Sequence, residues 1–387
     1  MTRAGEFLKA VPLDYASSDA LLDLAIWKAP TNSEAYLLLA SSLADRRQYE
    51  QAAGVLQSGI EKVSDGKVTL IIALAENAVR KRDLAAARSI YEKAVAMLGD
   101  QALIGIAKTY LTEQPPNREK ALEYALKATA QYPTSVEAYA LVGQVALSKN
   151  DLKMAEEYFE KGRVVSPGSP EIISRLSSFY DRAVLNEQRK RNWKGVIEYL
   201  TKSISLSPSL KKYYDRGREY FRVYENSPDD RITGYRLSAD DYRAALDIAK
   251  AEDGVFAQFP WLLPNLIEAL IFQGEFGHAK KLSEELFKAL GTDAQIRPPT
   301  DPRELRIIGA FLNAVAQLLD SGTADKEVYL MDNATLGRNL ARSPWGFSEM
   351  QRFLVEDYAK VKTGLSPDVR QSRIALVQQW VNKLTAK

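Results

Sequence analysis

The chain has 387 residues, of which 46% are hydrophobic and 26% charged, a composition typical of a folded protein with two or three domains or one long repeat array. Its formal net charge of +2 creates no global field that would favour nucleic acid or an anionic membrane. It has no cysteine and a single histidine, His278, which excludes disulfides and thiolate chemistry and most histidine-based metal or catalytic sites.

The first clear pattern is an amphipathic helix over residues 18–30, which reads as the second half of a helical hairpin. No good first helix precedes it, because Val11-Pro12 interrupts the pattern. Residues 1–30 are therefore predicted to be an N-terminal cap or half repeat, and the alternative is an array cut from a longer protein. We find no apolar run long enough for a signal peptide or a membrane-spanning helix.

Small residues then recur about every 34 positions along the chain. They are Ala52, Ala87, Ala121, Ala155 and Val196, and prolines follow at Pro133, Pro167 and Pro208. In the unit that starts at Val136, the large residues Tyr139 and Phe159 accompany the small residue Gly143. Small residues let two helices approach closely, and large ones fill the seam between them. The period therefore predicts a stack of helical hairpins, each covered by its neighbours.

This pattern resembles that of the tetratricopeptide-repeat (TPR) family over residues 15–293. The resemblance implies an all-α fold, a right-handed α-α superhelix (a TPR solenoid) with a C-terminal helical cap. We expect the TPR array to cover residues 31–294, with irregular units at 170–252. In those units the extra residues are predicted to form inserted loops at 183–195 and 225–239, where a specific contact is expected.

After Pro298-Pro299 the period is lost, and residues 301–387 are predicted to be a separate helical region. Four helices are expected there, at residues 302–321, 325–341, 345–362 and 366–386. The first carries a continuous apolar stripe formed by Leu305, Ile308, Phe311, Leu312, Val315 and Leu319. The last is expected to cap the solenoid through Ile374, Val377, Trp380, Val381 and Leu384.

We find no catalytic, phosphate-binding or metal-binding motif in the chain. The acidic doublets Asp229-Asp230 and Asp240-Asp241 are interpreted as solvated caps or turn formers in a loop region. A structural or exposed role is favoured for His278 over catalysis. The sequence therefore predicts that the protein is not an enzyme and has neither a cofactor nor a metal site.

The resemblance to TPR proteins also implies which residues line the inner face, since that face is formed by fixed positions of each first helix. Carried over to this sequence, the candidate partner-binding residues are Glu76, Arg80, Lys108, Gln144, Arg175, Ser178, Arg182, Arg216, Glu219 and Arg222. The arginines could hold an acidic segment or a C-terminal carboxylate through bidentate bonds. Alternatively, they pair with neighbouring carboxylates, namely Glu171, Asp181, Asp215 and Glu219. The sequence leaves both readings open.

Residues 182–236 are unusually basic, with 13 Lys and Arg against 7 Asp and Glu, a local charge of +6. Aromatic residues are interleaved with these basic residues, and this combination can bind single-stranded nucleic acid. Many of these aromatics occupy core positions of the repeats, however, so nucleic-acid binding is the less favoured interpretation.

The function predicted from these observations is a non-enzymatic scaffold that binds a protein or peptide partner, for example an acidic segment, along the TPR groove. One alternative is the soluble domain of a bacterial cell-envelope protein in polysaccharide or pilus export or assembly. Another is an enzyme built on the C-terminal helices. The compartment stays open between the cytoplasm and the bacterial periplasm or envelope.

Overall fold

The computed structural model describes residues 15–224, 227–250, 259–291, 302–323, 347–361 and 363–385. Every regular element in these ranges is helical, which confirms the all-α prediction. The helices group into two compact units, Met1–Leu176 and Ser177–Lys387. None of the helices in the described ranges is long and apolar enough to cross a membrane.

The first unit is a row of helical hairpins that follows one leading helix. Its helices are α1 (Tyr15–Lys28), α2 (Ser33–Asp45), α3 (Tyr49–Lys62), α4 (Lys67–Arg80), α5 (Leu84–Lys93), the short α6 (Val95–Leu98), α7 (Asp100–Thr112), α8 (Arg118–Gln131), α9 (Val136–Ser148), α10 (Leu152–Val165) and the start of α11 (Pro170–Arg189). The hairpins are α2/α3, α4/α5, α7/α8 and α9/α10, so the predicted helical hairpins are confirmed.

The turn is nearly the same in three of these four hairpins, α7/α8 being the exception. Arg47, Arg82 and Asn150 adopt left-handed backbone conformations with φ of 62°, 71° and 60°. In two of the three turns the next residue is an aspartate that caps the second helix: Asp83 accepts a hydrogen bond from the Ala86 amide and Asp151 one from the Met154 amide, both at 3.0 Å. A left-handed conformation costs energy for any residue but glycine, so the hairpin packing must hold these turns in place.

The first unit buries several small apolar clusters, each shared by neighbouring hairpins. The small residues of the sequence period lie at the centre, because Ala52, Ala87, Ala121 and Ala155 are all fully buried. Around them pack larger side chains such as Tyr36 and Phe159, each 1% exposed. The core is therefore divided among the repeats, as expected for a stack in which each hairpin covers the next.

The second unit contains longer helices. They are the remainder of α11, then α12 (Trp193–Leu206), α13 (Leu210–Tyr224), α14 (Arg231–Lys250), α15 (Leu262–Gln273), α16 (Phe276–Gly291), α17 (Pro302–Ser321), α18 (Phe347–Arg352) and α19 (Pro367–Thr385). After α18 the chain forms a π-helical turn over Phe353–Asp357 and a 3₁₀ turn over Tyr358–Lys360.

The prediction of loops at 183–195 and 225–239 is wrong for most of the described residues in these ranges, which are helical. Helix α11 continues to Arg189 and α12 begins at Trp193, while α14 begins at Arg231; residues 225–226 lie outside the described residues. The extra residues therefore lengthen helices. Asp240-Asp241 consequently lies within α14, where Asp241 is buried, and is not the solvated loop doublet expected from the sequence.

One large core joins the last hairpins of the second unit to its C-terminal helices. The apolar stripe predicted on α17 is confirmed, since all six of its side chains are at least 99% buried. On α19, Ile374, Val377 and Trp380 are buried, and the indole of Trp380 stacks on Phe311 with ring centroids 5.4 Å apart. The predicted helix at 325–341 and the side chains of Val381 and Leu384 lie outside the described residues.

Candidate partner-binding groove

Two neighbouring clefts lie on the first helices of consecutive hairpins in the first unit. The cleft between α2 and α4 has a volume of about 120 Å³ and is lined by Leu37, Ala40, Ser41, Ala44, Leu56, Ala73, Glu76, Asn77 and Arg80. The cleft between α4 and α7 has a volume of about 180 Å³ and is lined by Ile72, Glu76, Tyr91, Gln101, Ile104, Gly105, Lys108 and Glu137. We call these two clefts together the first-helix groove. Glu76, on α4, lines both clefts and joins them.

Three predicted site residues lie in this groove, and two of them are cations that already have anionic partners. Arg80 pairs with Asp45 at 2.7 Å, and Lys108 pairs with Glu137 at 2.7 Å. In each pair both side chains are more than two-fifths exposed, so solvent screens the attraction and a partner could compete for it.

The third residue, Glu76, is exposed and has no hydrogen-bond or ion-pair partner among the described residues. Its charge acts on Tyr91, in the wall of the second cleft. Burial, and to a lesser degree the Glu76 carboxylate, raises the pKa of Tyr91 to about 12. The phenol therefore stays protonated at neutral pH. Among the described residues that line the groove, Glu76 is the charged side chain without a counter-ion.

Gln144 and Arg175 lie further along the first unit and bond to each other. Arg175 donates a hydrogen bond to the Gln144 side-chain oxygen at 3.0 Å and pairs with Glu171 at 2.9 Å. This network links α9 to the start of α11 and engages the guanidinium on both sides.

In the second unit the predicted arginines are largely committed to internal contacts. Arg216 forms a bidentate pair with Asp241, at 2.8 and 2.6 Å, and also donates to Thr201 at 2.9 Å. Arg222 pairs at 2.8 Å with Glu219, which is fully buried, and packs over the Trp193 ring. Burial raises the pKa of Asp241, and the neighbouring Arg216 works against that rise.

Ser178 and Arg182 are the exceptions in the second unit. Both are exposed, and Arg182 has no hydrogen-bond or ion-pair partner among the residues that the structure describes. The structure thus brings Glu76, Arg80 and Lys108 together on one surface. It places Arg216 and Glu219 in buried or half-buried pairs.

The alternative that the arginines pair with neighbouring carboxylates is confirmed for Glu171 and Glu219. The sequence analysis missed the other carboxylates, namely Asp45, Glu137 and Asp241. Asp45 and Glu137 occupy inner-face positions of their own repeats, so applying the same position rule to every repeat would have found them. Asp241 carried no such signal, because it lies on a second helix that was interpreted as a loop.

Close contacts inside the hairpins show how a first helix packs on its second helix. A Cβ atom at Gly143 on α9 would lie 2.5 Å from the Phe159 ring on α10, closer than real Cβ atoms come. In the second unit, a Cβ atom at Gly217 on α13 would lie 2.8 Å from the Tyr242 ring on α14. A small first-helix residue thus meets a large second-helix aromatic in both units. The first pair has the spacing of the regular repeat, and the second is further apart in the sequence because the helices there are longer. The described helices therefore have the hairpin architecture of a tetratricopeptide-repeat (TPR) solenoid.

Comparisons with known proteins give distant similarities. No family model matches the chain. A stretch of 184 residues is 23% identical to cellulose synthase operon protein C from Pseudomonas fluorescens (strain SBW25); this covers 45% of the chain but only 14% of that protein.

Among solved structures, the chain is similar to the C-terminal part of a TPR repeat-containing protein from Cytophaga hutchinsonii, at 16% identity over 65% of this chain and 96% of that one, with a TM-score of 0.39. It is also similar to YrrB, described as a TPR protein with an unusual peptide-binding site, at 19% identity over 48% of this chain and 92% of YrrB, with a TM-score of 0.30. Scores this low carry no argument about function, and the assignment of the repeats rests on the hairpin contacts above.

Proposed function

We propose that this TPR protein is a non-enzymatic scaffold whose first-helix groove binds a segment of a partner protein. The observation that carries the proposal is the pair of adjoining clefts on α2, α4 and α7, in which apolar side chains lie beside charged ones. Pockets with this combination are the usual sites for a bound segment, because apolar walls supply affinity and a few polar groups fix its orientation.

The groove is built on rigid elements. Its walls come from the middle of helices whose other faces are fully buried, for example at Ala75 on α4 and Ala107 on α7. A preformed surface loses little conformational entropy on binding, so even a short extended segment could bind it.

A selection experiment with two matched variants tests this proposal. Short random peptides displayed on phage would be selected on the full chain, and the affinities of the enriched peptides measured by fluorescence anisotropy. Ser41→Trp places a bulky ring in the first cleft, whereas Gln57→Trp adds the same ring to an exposed position on α3 in the same repeat.

We expect Ser41→Trp to weaken binding by about tenfold or more, because it fills the space that a bound side chain would occupy, and Gln57→Trp to leave it unchanged. Equal affinities of both variants for every selected peptide would refute the groove as the binding surface.

Binding of an acidic segment, as predicted from the arginines, is a separate proposal for the second unit. Arg216 and Arg222 already pair with carboxylates, so they do not support it. Its support is Arg182, which is exposed and has no partner among the described residues. Selected peptides rich in Asp or Glu that bind wild type but not Arg182→Glu would support it. Unchanged binding by that variant would rule it out.

A second candidate function is a role in bacterial polysaccharide export or assembly. The observation in its favour is the 184-residue similarity to cellulose synthase operon protein C. Deleting the gene in the native cell and measuring secreted polysaccharide tests it. A normal amount of polysaccharide in the deletion strain would count against this role without affecting the groove proposal.

A further inference from the structure

The charge of the first-helix groove is not balanced. Arg80 and Lys108 are neutralised by Asp45 and Glu137, which leaves the Glu76 carboxylate without a counter-ion among the described residues. Glu76 also lies where the two clefts meet, so any segment that enters both clefts passes beside it. A bound cation there would gain attraction, and a bound anion would be repelled.

A buried amide in the same wall has an oxygen without a hydrogen-bond partner among the described residues. Asn77 lines the first cleft and is only 6% exposed. Its side-chain nitrogen donates to the Tyr49 carbonyl at 2.8 Å, which fixes the orientation of the amide. The Asn77 Oδ1 atom has no hydrogen-bond partner among the described residues. Because a buried acceptor without a donor is unfavourable, a donor group that reaches this oxygen after a small shift of the side chain would be stabilised.

The clefts on either side of Glu76 differ in polarity. In the first, Ala40, Ala44 and Ala73 leave room for an aliphatic side chain. In the second, Ile72 contributes apolar surface, but half of the lining residues are polar or charged. The groove therefore offers an apolar recess, an uncompensated carboxylate and a more polar recess, in that order.

We propose that the groove binds an extended segment of a partner protein in which one lysine or arginine, with an aliphatic residue on one side, pairs with Glu76. This inference rests on the proposed function and adds the chemistry of the partner. It differs from the acidic partner expected from the arginines, because the cations of this groove already have carboxylate partners whereas Glu76 does not.

The test uses the peptides selected on the full chain, synthesised with a fluorescent label. We expect them to be enriched in Lys or Arg at one position, with an aliphatic residue on one side of it. Glu76→Lys should weaken their binding about tenfold or more, since repulsion replaces attraction. Glu92→Lys makes the same charge change at an exposed residue of α5 in the same repeat and should have no effect.

A charge exchange separates a direct contact from a general effect of charge. Peptides in which the conserved Lys or Arg is replaced by Glu should bind Glu76→Lys better than they bind wild type. Ser41→Trp should weaken binding of all peptides that use the groove.

The outcomes distinguish the two proposals. If Ser41→Trp weakens binding but the selected peptides lack a basic position, or bind Glu76→Lys as well as wild type, the basic partner is refuted and the groove stands. If no peptide is selected, or if Ser41→Trp changes nothing, both proposals fail.

Discussion

The two units use the same hairpins but place their charges differently. In the first unit, ion pairs such as Arg80–Asp45 bridge first helices at the surface, and the apolar core is divided among the repeats. In the second unit, pairs such as Arg231–Asp357 are buried, and one core extends through the C-terminal helices. The difference indicates that surface charges of the first unit are available to a partner, whereas the buried ion pairs of the second hold its helices together.

Breaking the buried ion pair of the second unit should have the largest effect on stability. Arg231 and Asp357 are 4% and 0% exposed, lie 2.9 Å apart and join α14 to the turn after α18. Asp357→Ala leaves the Arg231 charge buried beside Glu356 alone, so we expect a loss of about 3–5 kcal/mol. Urea unfolding measures this loss. The double variant Arg231→Met/Asp357→Leu should recover most of it, and a single variant as stable as wild type would show that the pair is not structural.

The same substitution at two glycines of the first unit should have opposite effects. Gly143→Ala drives a Cβ atom into the Phe159 ring and should cost about 1–3 kcal/mol. Gly54→Ala adds a methyl group to α3 with no atom within 4 Å, and should stabilise by about 0.5–1 kcal/mol because alanine favours helix. Thermal unfolding of both variants checks the hairpin contact that identifies the repeat. A destabilisation by Gly54→Ala equal to that by Gly143→Ala would contradict it.

Removing Arg216 should cost more than removing Arg80, although both were expected to line the groove. Arg216→Ala leaves the Asp241 carboxylate, 6% exposed, without its bidentate partner, and a loss of about 1.5–3 kcal/mol is expected. Arg80→Ala removes a solvent-exposed pair and should cost at most about 1 kcal/mol.

The pH dependence of the Arg216→Ala variant provides a second check. Burial already raises the Asp241 pKa, and loss of Arg216 removes the main influence against that rise. A raised folded-state pKa contributes stability at low pH that is lost as the pH rises through it. The free energy of unfolding that the variant loses relative to wild type should therefore shrink as the pH falls toward 3.8, the ordinary pKa of Asp. A loss that grows as the pH falls would contradict the Arg216–Asp241 pair as its cause.

The smallest effect is expected at the hairpin turns. Arg82 has a φ of 71°, so Arg82→Gly relieves left-handed strain and should stabilise by up to about 1 kcal/mol. Gly274, with a φ of 90°, forms the corresponding turn of the second unit, and Gly274→Ala should destabilise by a similar amount. Chemical denaturation of the two variants measures both changes. Shifts of the same sign would show that the two turns are not equivalent.

The sequence predicted the hairpins because small residues must recur wherever two helices approach closely. It failed where the period was interrupted. Residues 231–239 were interpreted as part of a loop, but they lie in α14, where a Cβ atom at Gly234 would come within 2.5 Å of the Tyr224 side chain. A glycine required by a close contact looks the same in a sequence as one required by a turn.

The candidate site was predictable in position but not in charge balance. The inner-face rule selected Glu76, Arg80 and Lys108, and the structure places all three in one groove. Which of them is neutralised depends on contacts between helices of different repeats, such as Lys108–Glu137, and these depend on side-chain reach across the packed helices. Sequence spacing within one repeat does not contain that information.

Hydrogen–deuterium exchange of the full chain, with and without a selected peptide, tests the groove most directly. The account predicts slower exchange on binding in α2, α4 and α7, at residues 33–45, 67–80 and 100–112, and no change in α13, at residues 210–224. Protection confined to α13, with the three first helices unchanged, would contradict the assignment of the groove.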